Sequence, residues 1–389
     1  MHLSPVGENP EQTRSQSLIP RQGKFAFFLV TGLFFLWAIP NNLNDVLIRQ
    51  FMKSFEITRL QAGLIQSAFY LGYFETGANP LIAQLGDPES SVRRLNFSQA
   101  FNPIGSICGA MIGTLFIFSG VELHGSEIVQ MKERGVYTTY LQNETSRVLT
   151  PYMVLGVLVL IWAMLILRTH FPAIAAGQSS SQPTKDGGYI RLLRYPSFLF
   201  AVVAQFCYVG AQVGTWSYFI QYAQDYTHVS EKTAGYLLTT TLAAFAVGRF
   251  ASSHWMKWIR PAKMLGSFAL VNILLLGIGM IFVGWVGLIA ILMASFFMSL
   301  MFPTIFALGI KDLGPHTKEG ASLIVMSIIG GAIFTPLMGV AFQLTKSMAI
   351  SMCVPLVCYA VVAGYAFWGS QFAPSQRFDD ARPSEVPCD

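Results

Sequence analysis

Charged residues are scarce in this sequence of 389 residues. Lys, Arg, Asp and Glu together make up 12% of it, whereas 53% of the residues are hydrophobic and the mean hydropathy is +0.50. A soluble domain usually contains about a quarter charged residues. The composition therefore excludes an ordinary water-soluble globule and a disordered chain, and it predicts a membrane protein.

The sequence also lacks a continuous basic patch and the motifs of metal or disulfide chemistry. Its formal net charge is +5, but Lys and Arg are scattered between apolar blocks, so no nucleic-acid partner is expected. Four of the five cysteines lie inside apolar runs without CxxC or Cys/His spacing, and we interpret them as small hydrophobic residues. Because no nucleophile–base set or phosphate loop emerges, we expect neither an enzyme nor a bound metal or organic cofactor.

Long apolar runs dominate what is present. A transmembrane helix needs roughly 20 apolar residues, and the chain contains ten suitable segments. We therefore predict an all-α, multi-pass protein of the lipid bilayer, a monomer with both termini on one side. The connections on the side of the termini carry eleven Lys and Arg against eight on the other, which favours cytoplasmic termini. The predicted segments are residues 25–47, 60–85, 95–120, 151–167, 198–222, 233–253, 264–284, 285–310, 321–344 and 348–368.

A Gly- and Ser-rich stretch divides these segments into four and six. Two membrane bundles joined by a flexible cytoplasmic linker are typical of secondary transporters with repeated halves, although such halves should be equal. The polar start of the chain has no apolar core, so no cleaved signal peptide is expected. The predicted units are a cytoplasmic tail (1–24), a shortened N-terminal bundle (25–168), a cytoplasmic linker (169–197), a six-helix C-terminal bundle (198–368) and a cytoplasmic tail (369–389).

Polar residues inside apolar segments mark packing contacts or a wet pathway, because hydrocarbon offers them no partner. The first segment carries Asn41, Asn42, Asn44 and Asp45. One interpretation is a frayed helix end with Asp45 paired to Arg49 at i, i+4. The other is a functional site, since three amides beside a carboxylate suit a polyol of sugar size.

A carboxylic acid also lies near the middle of the second segment. Burial in hydrocarbon favours the protonated form of Glu75, and a carboxyl group that changes charge with access is what proton coupling requires. The alternative is a permanently protonated Glu75 that is hydrogen-bonded to a neighbouring helix.

Two further segments combine amides on one helical face. Gln99 and Asn102 are three residues apart in the third segment, and a stripe formed by Gly105, Gly109 and Gly113 follows them as a packing motif. In the fifth segment, one face carries Gln205, Tyr208, Gln212 and Trp216 at spacings of 3, 4 and 4. Aromatic rings can stack on a sugar while amides bind its hydroxyl groups, but the same residues can also hold helices together.

These residues carry a resemblance to a known family. The runs 41–45, 61–70, 75–80, 204–212, 303–306 and 328–331 resemble the fucose–proton symporter family of the major facilitator superfamily. The resemblance implies a two-bundle sugar–proton symporter of the plasma membrane that imports L-fucose, with the proton as coupling ion. Asp45 and Glu75 match its proton-coupling carboxylates, and Gln99 and Asn102 match polar residues of its cavity. Asn42, Gln205, Gln212 and Trp216 complete the expected substrate site.

The sequence departs from the family at two places. Leu300-Met301-Phe302 is less polar than expected for a fucose carrier and resembles glucose/galactose relatives, which leaves the sugar open. Between Phe74 and Glu75, about fifty residues of the family pattern are missing, enough for two membrane spans. Joining the outer half of helix 2 to the inner half of helix 4 still gives one span, so we predict about ten spans, four plus six. The alternative function is a shortened isoform or sugar sensor that does not transport.

Overall fold

The computed structural model describes residues 24–71, 98, 101–121, 123, 125–169, 192, 195–256, 258–311, 313 and 316–369, and these are helical apart from short turns and connections. The helices of the N-terminal half are α1 (Lys24–Ser54), α2 (Arg59–Leu71), α3 (Asn102–Ile112, extended by a π-helical turn at Gly113–Ile117), α4 (Gly125–Glu133), α5 (Tyr137–Ser146) and α6 (Leu149–Arg168).

Several predicted spans of the C-terminal half are built from two consecutive helices. A break at Ser299 and Leu300 divides one span just before Pro303, and a 3₁₀ turn at Ser327–Ile329 divides the next before Gly330. The helices are α7 (Pro196–Ser217), α8 (Phe219–Thr227), α9 (Glu231–Trp255), α10 (Pro261–Ile281), α11 (Trp285–Met298), α12 (Met301–Ile310), α13 (Thr317–Met326), α14 (Gly330–Thr345), α15 (Met348–Ser351) and α16 (Cys353–Phe367).

Seven helical stretches within the described ranges are long and apolar enough to cross a membrane. They correspond to seven of the ten predicted segments. The predicted segments 60–85 and 95–120 lie partly outside the described residues, and α9 has the length of a span but a more polar sequence. The prediction of an all-α membrane protein is confirmed.

The glycine stripe brings α3 directly against α1. A Cβ atom at Gly105 or Gly109 would collide with the backbone oxygen of Phe35 or Ile39, and one at Gly113 would lie 2.8 Å from the Val46 side chain. The stripe is therefore a packing motif, as its spacing predicts.

The hydrophobic core lies mainly in the C-terminal half. Five tyrosines are among its largest fully buried side chains, and their hydroxyl groups need partners. Three of them donate to backbone carbonyls, for example Tyr208 to Met298 at 3.0 Å and Tyr222 to Gly279 at 2.6 Å. The buried tyrosines are Tyr208, Tyr218, Tyr222, Tyr359 and Tyr365.

The N-terminal half is packed less completely. Within the stretch Tyr137–Arg168, only 11% of the apolar window is buried inside the protein, against 67% for Pro196–Ser217. Helix α6 is held to α1 by a hydrogen bond from Trp162 Nε1 to the Leu29 carbonyl at 3.0 Å. Most of its apolar surface is left for lipid.

The two halves meet along two helix pairs. Helix α2 lies along α14, and α3 lies along α9, while α1 and α7 contact each other between these pairs. Polar residues of α1, α2 and α7 therefore come together at the seam between the halves.

Candidate functional site

The carboxylate of Asp45 lies in the seam and is 4% exposed. Its Oδ1 accepts a hydrogen bond from Gln66 Nε2 of α2 at 3.2 Å and another from Ser217 Oγ of α7 at 2.9 Å. Asp45 is therefore bound by one residue from each half. The alternative interpretation of an Asp45–Arg49 pair is wrong, because Arg49 forms its ion pair with Glu231 at 3.3 Å.

An amide relay fixes the direction of Gln66. Asn44 Nδ2 donates to Gln66 Oε1, which leaves the Gln66 NH₂ group directed at Asp45. Both Asn44 and Gln66 are buried, and Tyr70 on the same helix as Gln66 donates to Asn41 Oδ1 at 3.1 Å. Asn41 and Asn44 of α1 thus bind α2, and Asn44 orients the donor of the carboxylate.

Asn42 occupies a different side of α1. Its Nδ2 donates to the Ala38 carbonyl at 3.1 Å and to Ser106 Oγ of α3 at 2.8 Å, and it is 1% exposed. Its Oδ1 is buried and has no hydrogen-bond partner in the described ranges of the chain. The structure places this predicted substrate residue in the α1–α3 contact, whereas Asp45 contacts α2 and α7.

The predicted face on α7 is buried to different degrees along its length. Gln205 is fully buried, and neither its Nε2 nor its Oε1 has a hydrogen-bond partner among the described residues, whereas Gln212 is half-buried. Trp216 Nε1 donates to Ser295 Oγ of α11 at 3.0 Å, and its ring packs edge-on against Phe245 at 5.1 Å. The aromatic residues of this face therefore bind other helices of the C-terminal half, while Gln205 retains its full bonding capacity.

The three other predicted site residues belong to the second and third predicted segments. Asn102 is the first residue of α3 and is half-buried, and its carbonyl accepts from Ser106 Oγ at 3.1 Å. Glu75 and Gln99 lie outside the described residues.

Ion pairs join the two halves where α1 ends and α2 begins, which we call the α1–α2 end. Glu231 of α9 is fully buried and lies 3.3 Å from Arg49 and 3.4 Å from Lys53, both on α1. Arg59 of α2 pairs with Asp225 of α8 at 2.7 Å. These contacts cross from one half to the other, so the α1–α2 end is closed.

Sequence reasoning missed several residues of this seam. Gln66 lies within the run 61–70 that carries the family resemblance, and it is an amide inside an apolar segment, which is a usable signal. Ser217 gives no such signal, because a serine near a helix end satisfies itself easily. Only its distance from Asp45 reveals its position in the site.

Two helical halves with broken spans and buried polar residues at their seam have the architecture of a secondary membrane transporter. The family model of the Major Facilitator Superfamily matches residues 25–336. The chain belongs to this superfamily, in the branch that contains L-fucose–proton symporters.

Named relatives and a solved structure support this placement. The L-fucose-proton symporter of Escherichia coli is 36% identical, with 95% of this chain and 97% of that protein covered. A glucose/galactose transporter of Brucella abortus is 26% identical, with 93% and 98% covered. The crystal structure of the transporter FucP in the outward conformation shares 36% identity and a TM-score of 0.65, with 88% and 97% covered.

The alignments also bear on the length of the chain. The alignment with the E. coli protein extends over 432 positions, whereas this chain has 389 residues. More than forty residues of the relative therefore have no counterpart here. The sequence predicts such a shortage, of about fifty residues.

Proposed function

We propose that this chain is a sugar–proton symporter that imports L-fucose by alternating access, driven by the proton gradient. The observation that carries the proposal is the buried carboxylate of Asp45 at the seam, held by Gln66 from one half and Ser217 from the other. A carboxyl group in this position senses both the opening of the halves and the arrival of a proton. The name of the relative that is 36% identical supports fucose as the sugar.

In this proposal, Asp45 and Glu75 bind and release the proton, which is the coupling ion. The sugar contacts Asn42, Gln99, Asn102, Gln205, Gln212 and Trp216. Gln205 supports this assignment, because a buried amide without partners costs free energy until a ligand hydroxyl group or water binds it. The protein acts as a carrier, as a monomer in the plasma membrane with cytoplasmic termini.

The α1–α2 end faces the outside in this topology. Its ion pairs then close the outer entrance. In this conformation, sugar cannot enter from outside. Opening requires Glu231 and Asp225 to leave their partners on α1 and α2.

Glucose or galactose is the alternative substrate within the same function. Two observations favour it: the name of the Brucella abortus relative and the apolar run Leu300–Phe302, where a fucose carrier is expected to be more polar. D-Glucose and D-galactose differ from L-fucose in configuration and in carrying a hydroxyl group at C6, so uptake measured in parallel separates them.

The test is uptake by proteoliposomes that contain the purified full chain. With an inward-directed proton gradient, labelled L-fucose should accumulate above the external concentration, and D-glucose and D-galactose should be compared in parallel. Asp45→Asn and Glu75→Gln should each abolish accumulation. Glu56→Gln is the matched control, because Glu56 is exposed and should not affect uptake. Accumulation that is unchanged by Asp45→Asn or Glu75→Gln contradicts the coupling role of that residue.

A second candidate is a sugar-binding membrane protein without transport. The relative's additional residues and the low burial of α6 favour it, since both indicate a reduced N-terminal bundle. Binding of fucose to the purified chain without uptake by proteoliposomes would establish this function.

A further inference from the structure

The bond between Asp45 and Ser217 crosses the seam, and both side chains are buried there. Ser217 is 1% exposed and its Oγ lies 2.9 Å from Asp45 Oδ1. It is the last residue of α7, directly before the backbone turns at Tyr218 into α8. A movement of the C-terminal half away from α1 therefore breaks this hydrogen bond.

The hydrogen bonds of Asp45 are compatible with both the ionised and the protonated carboxyl group. Gln66 and Ser217 both donate to Oδ1, so that oxygen is filled in either state, and a proton is accommodated on Oδ2. An ionised carboxylate gains more from these two donors than a neutral one, because hydrogen bonds to charged groups are stronger. Loss of either donor therefore costs the ionised form more than the protonated form.

The cations nearest in sequence are bound elsewhere. Among the described residues, Arg49 faces Glu231, Lys53 faces Glu231 and Glu144, and Arg59 faces Asp225. Within the described part of the chain, the hydrogen-bond donors to the Asp45 carboxyl are the neutral Gln66 of α2 and Ser217 of α7. Neutral donors thus stabilise its ionised form. One of them, Ser217, can reach Asp45 only while the α1–α2 end is closed.

We propose that Ser217 is a positioning residue that makes proton release from Asp45 depend on closure of the α1–α2 end. This inference rests on the proposed symport. In the closed state, Ser217 stabilises the ionised carboxylate, and the proton leaves toward the opposite side. When the end opens, that donor is lost and Asp45 binds a proton again. Sugar and proton transport are coupled because the empty carrier can return only after this release.

Two measurable activities, sugar exchange and gradient-driven accumulation, should depend differently on Ser217. Exchange of labelled for unlabelled sugar at equal pH needs only the loaded carrier, so it does not require proton release. Accumulation driven by a proton gradient requires the release step in every cycle. One charge-assisted hydrogen bond corresponds to roughly a tenfold change in that equilibrium.

The experiment compares Ser217→Ala and Ser217→Thr with the wild-type chain in proteoliposomes. Ser217→Ala should lower gradient-driven accumulation about tenfold while exchange falls less than twofold, and the pH at which exchange is half-maximal should rise by about one unit. Ser217→Thr keeps the hydroxyl group and should restore coupling. Thr215→Val is the matched control, because Thr215 is buried on the same helix but donates to its own helix at Ala211.

Each outcome has a defined meaning. Equal loss of exchange and accumulation in Ser217→Ala, or a loss that Ser217→Thr does not restore, overturns the inference and leaves the symport function intact. So does an additional loss of exchange when Ser217→Ala is combined with Asp45→Asn, since the hydroxyl group then acts without the carboxylate. A wild-type chain that accumulates no sugar overturns the proposed function and this inference together.

Discussion

Replacing Glu231 by Gln should open the α1–α2 end. Glu231 is fully buried and joins Arg49 and Lys53 across the seam at 3.3 and 3.4 Å. Removing one partner of a fully buried ion pair costs about 3–5 kcal/mol. The cost here should be about 2 kcal/mol, because Arg49 and Lys53 remain partly exposed and Lys53 keeps Glu144 at 2.9 Å. Since 1.4 kcal/mol is a factor of ten, the open state should gain roughly 30-fold in population.

Thiol labelling measures this opening. A cysteine introduced at Ala332, a seam residue of α14 that is 6% exposed, should react with a maleimide roughly 30-fold faster in the Glu231→Gln background. Labelling of the native cysteines is subtracted with the same protein lacking the introduced cysteine. Lys132→Gln is the control, because its pair with Glu56 is exposed on both sides and contributes roughly 0–1 kcal/mol. An equal labelling rate with and without Glu231→Gln would refute the closing role of the ion pairs.

The remaining predictions concern packing and substrate contact. Gly109→Ala should reduce stability by about 1–3 kcal/mol, because the new Cβ meets the Ile39 carbonyl oxygen, and a lower thermal midpoint of the purified protein would reveal it. Gly156→Ala, with no atom within 4 Å of the added Cβ, should be neutral or slightly stabilising, and an equal effect of both changes would contradict the close α1–α3 approach. Trp216→Phe removes the bond to Ser295 that fixes the ring, and because that bond is worth about 1 kcal/mol, the looser ring should raise the KM for sugar by up to about fivefold. An unchanged KM would remove Trp216 from the substrate site.

Much of the architecture follows from the sequence because hydrophobicity acts locally. Each apolar run of sufficient length must form a helix in hydrocarbon, whatever the neighbouring helices do. Both boundaries of α6 and the starts of α1 and α7 lie within two residues of the predicted ones for this reason, whereas α1 ends seven residues later and α7 five residues earlier than predicted. The glycine stripe of α3 could also be interpreted correctly, since close approach is what such spacing permits.

The contacts of the candidate site depend on helices that are far apart in the chain. Asp45 stands out in the sequence as a carboxylic acid in an apolar run, but its partners lie 21 and 172 residues away. The local pairing rule for helices suggests Arg49 as its partner, whereas Arg49 turns to Glu231 of the other half. Asn42 and Asp45 are neighbours in sequence but bind α3 and α7 respectively.

The scarcity of charge and the long apolar runs determined that this is a helical membrane protein, and the resemblance of six sequence runs indicated its family. Those properties are fixed by single segments, because each segment must satisfy its own backbone in lipid. Only the tertiary structure decided which polar residues meet at the seam and that the α1–α2 end is closed. Such contacts arise when several helices pack together, and no single segment contains the information that selects them.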